Sequence, residues 1–205
     1  GDTIQFCRFI PKLKAAKVIW SGPSELTGLI GDNFSFDEVT GEEGPFTADY
    51  YASPMSACAA MGVQYDQVCG QPYINADKLN LPDRGRLKVG LAWKGSSSYA
   101  QDTLRSTMIE TFSPLFEIPC LAFYSLQVGE FERDITKAGL DGFIANLTPL
   151  INNWRDTAWA IAAMAVVVTI DTATAHLAGA MGKPVMILLP YSCCWRWLRN
   201  TDHSP

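Results

Sequence analysis

In the second half of the chain the apolar residues fall into short, nearly unbroken runs, and most of these close on a polar cluster. "LKVGLAW" (87–93) leads into Lys94-Gly95-Ser96-Ser97-Ser98, and "PCLAFYSLQ" (119–127) closes on Ser125 and Gln127. "VVVTI" (166–170) leads into Asp171-Thr172, "PVMILLP" leads into Tyr191-Ser192, and "GFIAN" is a weaker run between them. Residues 110–116, 130–138, 154–164 and 172–181 separate these runs with helix-forming sequence. Strands that are apolar on both faces and alternate with helices predict a parallel sheet covered on both sides. The predicted class is therefore α/β, of Rossmann type.

The first half carries a thinner pattern. It predicts a helix over 3–15, a strand at "KVIWS", a helix over 24–30, short strands at "FDEVT" and "ADYYAS", and a helix over 55–61. The polar stretch "NADKLNLPDRGR" (75–86), with its prolines, charges and glycine, predicts a linker. This divides the chain into a partial α/β domain at 1–80, whose opening strand would precede Gly1, and a second domain at 81–205.

Composition narrows the function classes. The 205 residues are 48% hydrophobic and 18% charged, with a formal net charge of −5 and no cluster of lysines and arginines. Nucleic acid and acidic membrane surfaces are therefore not expected partners. The longest apolar stretch, 158–170, falls short of the roughly 20 residues of a spanning helix, so no transmembrane segment is expected. No signal-peptide pattern opens the chain. The six cysteines form no CxxC pair and the two histidines lack a ligand pattern, which points to reduced thiols and no metal site. No GxGxxG, P-loop or GxSxG pattern occurs.

Ligands of open parallel sheets bind beyond the carboxyl ends of the strands, and here those ends hold the polar clusters. Asp171-Thr172-Ala173-Thr174 sits where a strand gives way to a helix, with His176 one turn in. Such a turn is either a capped helix or an anion site built from free N–H groups. Lys94 and Arg105 flank a hydroxyl-rich loop containing Ser96 and Ser97, which is either a solvated loop or a phosphate cradle. Asp2, just before the first helix, is either its N-cap or a carboxylate facing a cleft, where it can act as general base for a hydroxyl.

In order, "GDTIQFCRFIP", "VGLAWKGS", "YSLQVG", "DTATAHLAGAMGKPVMILLP" and "WRWL" resemble the heptosyltransferase-related glycosyltransferases of family 9. They are most similar to the glycosyltransferase-like domains that follow tetratricopeptide repeats in bacterial proteins. The resemblance spans most of the chain, is strongest over 156–198, and departs from the usual spelling at Ala165 and at Tyr191-Ser192-Cys193-Cys194.

The resemblance implies a GT-B architecture of two Rossmann-type domains, the N-terminal one incomplete and on the acceptor side. It also implies a nucleotide-diphosphate sugar as donor substrate, an acceptor glycan or protein, no metal or other cofactor, and a cytoplasmic location, at most peripheral to the inner membrane. By this analogy Asp2 is the catalytic base. Ser96, Ser97 and Arg105 lie at the donor phosphates, Asp171 near the sugar, and Thr172, Ala173 and Thr174 at the diphosphate, with His176 the motif histidine; Lys94 and Gln127, read from the strand ends themselves, complete the expected donor site. The alternative is a domain of a repeat-containing scaffold that binds a nucleotide or nucleotide-sugar without turnover.

Overall fold

The computed structural model describes residues 1–41, 47–64, 67–68, 70–82 and 85–198. Its first helix is shorter than the apolar spacing suggests. Helix α1 covers Asp2–Phe6 and continues as a 3-10 turn over Cys7–Lys12 that contains Pro11. Proline has no N–H to donate and its ring crowds the preceding turn, which ends regular helix there. Strand β1 (Ile19–Ser21), helix α2 (Ser24–Asn33) and strand β2 (Glu38–Thr40) follow, and β1 and β2 pair in parallel with Ile19 opposite Glu38. Helix α3 (Pro54–Ala60) starts with Pro54 in its first turn, and the Ser53 hydroxyl accepts from the Ser56 N–H at 3.1 Å. The strand expected at "ADYYAS" is not formed. Tyr50 and Tyr51 are 93% and 92% exposed, and among the described residues no neighbouring strand offers partners for their backbone.

The second half builds a five-stranded, wholly parallel sheet from β3 (Leu87–Ala92), β4 (Leu121–Ser125), β5 (Ile144–Asn146), β6 (Val166–Ile170) and β7 (Val185–Leu188). The order is β5-β4-β3-β6-β7. The chain runs outward from β3 in one direction, returns past it, and runs outward in the other. The crevice of a doubly wound sheet lies at that reversal, here between β3 and β6.

Alternate residues of each strand enter two different cores. Val89, Leu91, Phe123 and Val168 pack with Ile109, Phe112 and Ile135 on one face. Ala92, Ala122, Tyr124 and Val167 pack on the other face, in the same core as Ile161, Leu177 and residues of the first half such as Ile4 and Ile30. Gly90 lets β3 approach its cover closely, because a Cβ there would stand 2.6 Å from Leu126 Cδ1 and 3.0 Å from Met164 Cγ.

The connecting helices are short where the sequence predicted longer ones. Helix α4 (Asp102–Arg105) leads out of the loop after β3, a 3-10 turn over Ile109–Phe112 precedes α5 (Ser113–Phe116), and another over Gly129–Arg133 precedes α6 (Asp134–Lys137). Pro114 stands inside the first of these expected helices and splits it.

The two longer helices are capped by their own sequence. In α7 (Trp154–Ala163) the Asn153 side chain accepts from the Asp156 N–H, and the Asp156 carboxylate accepts from the Asn152 N–H at 2.9 Å, a reciprocal cap. Helix α8 (Ala173–Ala180) ends at Gly182, which has φ +66°, with Lys183 N–H donating to Ala178 C=O at 2.9 Å. Lys183 then reaches away from the strand ends and donates to Ala162 and Met164 C=O, at 2.7 and 2.9 Å.

The first half leans on these two helices, α1 against α8 and α2 against α7. The stretch from 75 is extended but anchored at both sides. Asn75 N–H donates to Asn33 Oδ1 at 2.7 Å, Leu79 N–H donates to Trp159 C=O at 3.1 Å, and Leu81 packs on the shared core. The five cysteines among the described residues are unbridged. No described helix is long and apolar enough to cross a membrane.

Candidate functional site

A cleft of about 810 Å³ opens at the carboxyl ends of β3 and β6. All eleven residues singled out in the sequence line it: Asp2, Lys94, Ser96, Ser97, Arg105, Gln127, Asp171, Thr172, Ala173, Thr174 and His176. Packing explains the convergence. The loop after β3 and the turn after β6 belong to adjacent strands, and α1 lies along α8, which carries the first helical turn of the chain to the same edge.

The turn after β6 is an open helix start. Thr172 is the N-cap of α8 in extended geometry (φ −138°, ψ 175°), and its side chain makes no cap hydrogen bond to the helix N–H groups. Its hydroxyl stands instead 3.4 Å from the Thr169 hydroxyl. Self-capping by Asp171 or Thr172 is thus not how this end is built. Thr172, Ala173 and Thr174 line the cleft, so the start of the helix, with the positive end of its dipole, lies at the cleft, an arrangement suited to an anion.

The loop after β3 is fixed by one buried ion pair. Arg105 Nε donates to Asp102 Oδ1 at 2.9 Å, with side-chain exposures of only 20% and 11%. The other Asp102 oxygen accepts from the Ser106 hydroxyl at 2.5 Å, and that hydroxyl accepts from Gly95 N–H at 3.1 Å. Arg105 Nη1 donates to Asp171 C=O at 2.8 Å, which ties the loop to the turn after β6. Tyr99 covers the guanidinium, 4.5 Å from its ring centre. Gly95 permits this packing, since a Cβ there would collide with the Asp102 carboxylate. Lys94 lies beside the Phe131 ring at 5.7 Å, and the Ser96 hydroxyl hydrogen-bonds Ser98 at 2.7 Å.

Gln127 lines the cleft but works mainly as a brace. It is 5% exposed, and its amide oxygen accepts from the Trp93 and Lys94 N–H groups at 3.2 and 2.9 Å, closing the end of β3. Asp2 is the first residue of α1, with Gly1 at the cap position, so its carboxylate is not an N-cap. That carboxylate pairs with Arg196 Nη2 at 3.1 Å. The His176 imidazole stacks on the Trp197 ring, with centroids 4.9 Å apart and planes 13° apart. Burial pushes its pKa down to about 4, which leaves it neutral at pH 7.

The sequence reading missed Asp102, Tyr99, Arg196 and Trp197. The Asp102 and Arg105 pair has a local signal, opposite charges three residues apart on a helix. "WRWL" belonged to the resemblance, but nothing in its spelling says that it returns to the start of the chain. Among the described residues no group of three or more His, Cys, Asp or Glu could hold a metal ion.

Fold and site together define an α/β protein with a polar, cation-bearing cleft at the switch point of a parallel sheet. No protein-family description matches the chain, and no solved structure matches it. Among curated proteins it is similar to Protein FlbA of Caulobacter vibrioides, 30% identical over an alignment of 123 positions that covers 58% of this chain. The same alignment covers 20% of that protein, so the chain spans about a fifth of its relative's length.

Proposed function

We propose that the chain belongs to a glycosyltransferase of GT-B type that binds a nucleotide-diphosphate sugar in this cleft. In this reading residues 81–205 are the donor side and residues 1–80 part of the acceptor side. The observation that carries it is the meeting, in one cleft, of an open helix N-terminus, three cationic side chains (Lys94, Arg105 and Arg196) and a carboxylate from the opposite half of the chain.

The α8 N–H groups, Arg105 and Lys94 hold the diphosphate and take up the charge that grows on it as the glycosidic bond breaks. Ser96 and Ser97 hydroxyls donate to its oxygens. Asp2 accepts the proton of the acceptor hydroxyl, whose oxygen attacks the anomeric carbon while the nucleoside diphosphate departs. His176, neutral through its burial, lines the cleft with Asp171 and offers a ring nitrogen to the ligand.

The test is thermal-shift screening with ADP-, UDP- and GDP-sugars, followed by turnover of whichever class binds. Stabilisation by one class, lost in Arg105→Ala, supports the site. Asp2→Ala should keep donor binding and lose transfer and donor hydrolysis. No stabilisation by any class would sink the proposal.

One observation favours a second reading, a domain that binds nucleotide-sugars without turnover, as in a repeat-containing scaffold. The carboxylate assigned as base already accepts from a guanidinium, at 3.1 Å. A wild-type protein that binds a donor and never consumes it would decide for this reading.

A further inference from the structure

Residues Trp195–Trp197 form a 3-10 turn that crosses back to the first helix of the chain. The Arg196 guanidinium is held firmly at this crossing. Its Nη1 donates to Cys194 Sγ at 3.1 Å, and its Cζ lies 5.1 Å from the Trp195 ring centre and 5.8 Å from that of Phe6. Its side chain is 15% exposed, whereas that of its partner Asp2 is 65% exposed. The turn ends at Leu198, the only non-glycine residue with positive φ among the described residues (φ 62°, ψ 175°). Such a backbone conformation persists in a leucine only when surrounding contacts impose it.

We propose that Arg196 is a positioning residue that exchanges between Asp2 and the phosphates of a nucleoside-diphosphate ligand in the same cleft, so that ligand binding releases the Asp2 carboxylate. The inference rests on the diphosphate reading of the cleft given above. Arg196 and Asp2 line that cleft together with Arg105 and the start of α8. A guanidinium seated between aromatic rings stays in place, and the exposed carboxylate, screened by water, is the weaker of its possible partners. A diphosphate offers more than one negative charge and matches the planar fork with paired oxygens. Released from Arg196, Asp2 keeps its place on α1 and turns its oxygens to the acceptor side. A cation that serves first the base and then the ligand couples the two halves of the reaction.

The experiment is a calorimetric titration of inorganic pyrophosphate, with ADP, UDP and GDP alongside, into the wild type, Asp2→Asn, Arg196→Ala, Arg196→Lys and the Asp2→Asn/Arg196→Ala double variant. Asp2→Asn removes the competitor and should tighten pyrophosphate binding by about three- to tenfold, while Arg196→Ala should weaken it by about tenfold. Arg196→Lys, which keeps the charge and loses the fork, should fall between the wild type and Arg196→Ala. With Arg196 replaced by alanine, Asp2→Asn should change affinity by less than about twofold.

The same tightening in both backgrounds would mean general charge repulsion by Asp2 and would overturn the exchange. So would an Asp2→Asn variant that binds no tighter than the wild type. A wild type that binds pyrophosphate and fails these comparisons leaves the diphosphate site standing without the exchange. A wild type that binds none of the four ligands overturns both.

Discussion

Two arginine–aspartate pairs serve the cleft, Arg105 with Asp102 behind it and Arg196 with Asp2, and they are not equivalent. Arg105 and Asp102 lie 2.9 Å apart and are both largely buried, and every Asp102 oxygen has a donor. Arg196 and Asp2 lie 3.1 Å apart, with the arginine buried and the aspartate mostly in water. The chemistry is the same, and burial decides what each pair does. A carboxylate taken out of water with its partners is a fixed brace, because removing one member strands the other. A carboxylate left in water is held weakly and can be given up. One pair is therefore built in, and the other is conditional.

The sharpest way to break this comparison is Asp102→Ala. It strands the Arg105 guanidinium and leaves Ser106 without its acceptor, and should cost about 3–5 kcal/mol in urea unfolding. It should also abolish diphosphate binding, because the loop after β3 loses its anchor. A loss below about 1 kcal/mol would place this pair with exposed ones and erase the contrast.

Next in size is the acid response of His176, which lines the same cleft. Its folded pKa, pushed down by burial from 6.5 to about 4, favours the neutral ring in the native state. The stability this contributes is fully present above pH 6.5 and is lost as pH falls through about 4. Subtracting the pH profile of His176→Asn from that of the wild type should reveal a loss of up to about 3 kcal/mol across that window. Parallel profiles would show that the ring is not desolvated.

Smaller still is Trp197→Ala, which removes the stack on His176 and should cost about 1–2 kcal/mol in the same unfolding assay. The smallest effect is that of Asp2→Asn, within about 0.5 kcal/mol of the wild type because the pair is mostly solvated on that side. Asp2 is thus expected to matter little for stability and most for binding and turnover, the reverse of the brace.

How much of this was legible in the sequence depended on where each element gets its reason to form. Strands β3, β4 and β6 are apolar on both faces and bounded by polar clusters, so their positions could be read within a residue or two. The polar clusters after β3, β4 and β6 named most of the residues that converge in the cleft, because a parallel sheet brings its carboxyl ends to one edge, whereas Tyr191-Ser192 after the edge strand β7 does not line it. The truncated α1 and the split of the helix expected over 110–116 follow from Pro11 and Pro114, which the apolar spacing outweighed in a sequence reading; the short helix after β4 has no such proline.

Side-chain roles were less legible. Gln127 looks like a ligand-binding group at a strand end, yet its oxygen serves the Trp93 and Lys94 N–H groups just past the end of the neighbouring strand, and only the pairing of β3 with β4 makes that visible. Arg196 was unreadable for a similar reason. Its partner lies at the other end of the chain, and no local pattern records a contact across that distance.

The packing of the first half on the second has a consequence for how the chain is made. Arg155 on α7 donates to Gly28 C=O on α2 at 3.2 Å, across 127 residues of sequence. Ile4 on α1 shares a core with Leu177 and Ala178 on α8. On a ribosome adding roughly 5–20 residues per second, α1 and α2 emerge about ten seconds before the helices that cover them. During that interval their apolar faces have no native partner, and the late arrival of α7 and α8 sets when folding can finish. The cleft lies along the same seam, so it is assembled only after α8 has emerged and met α1.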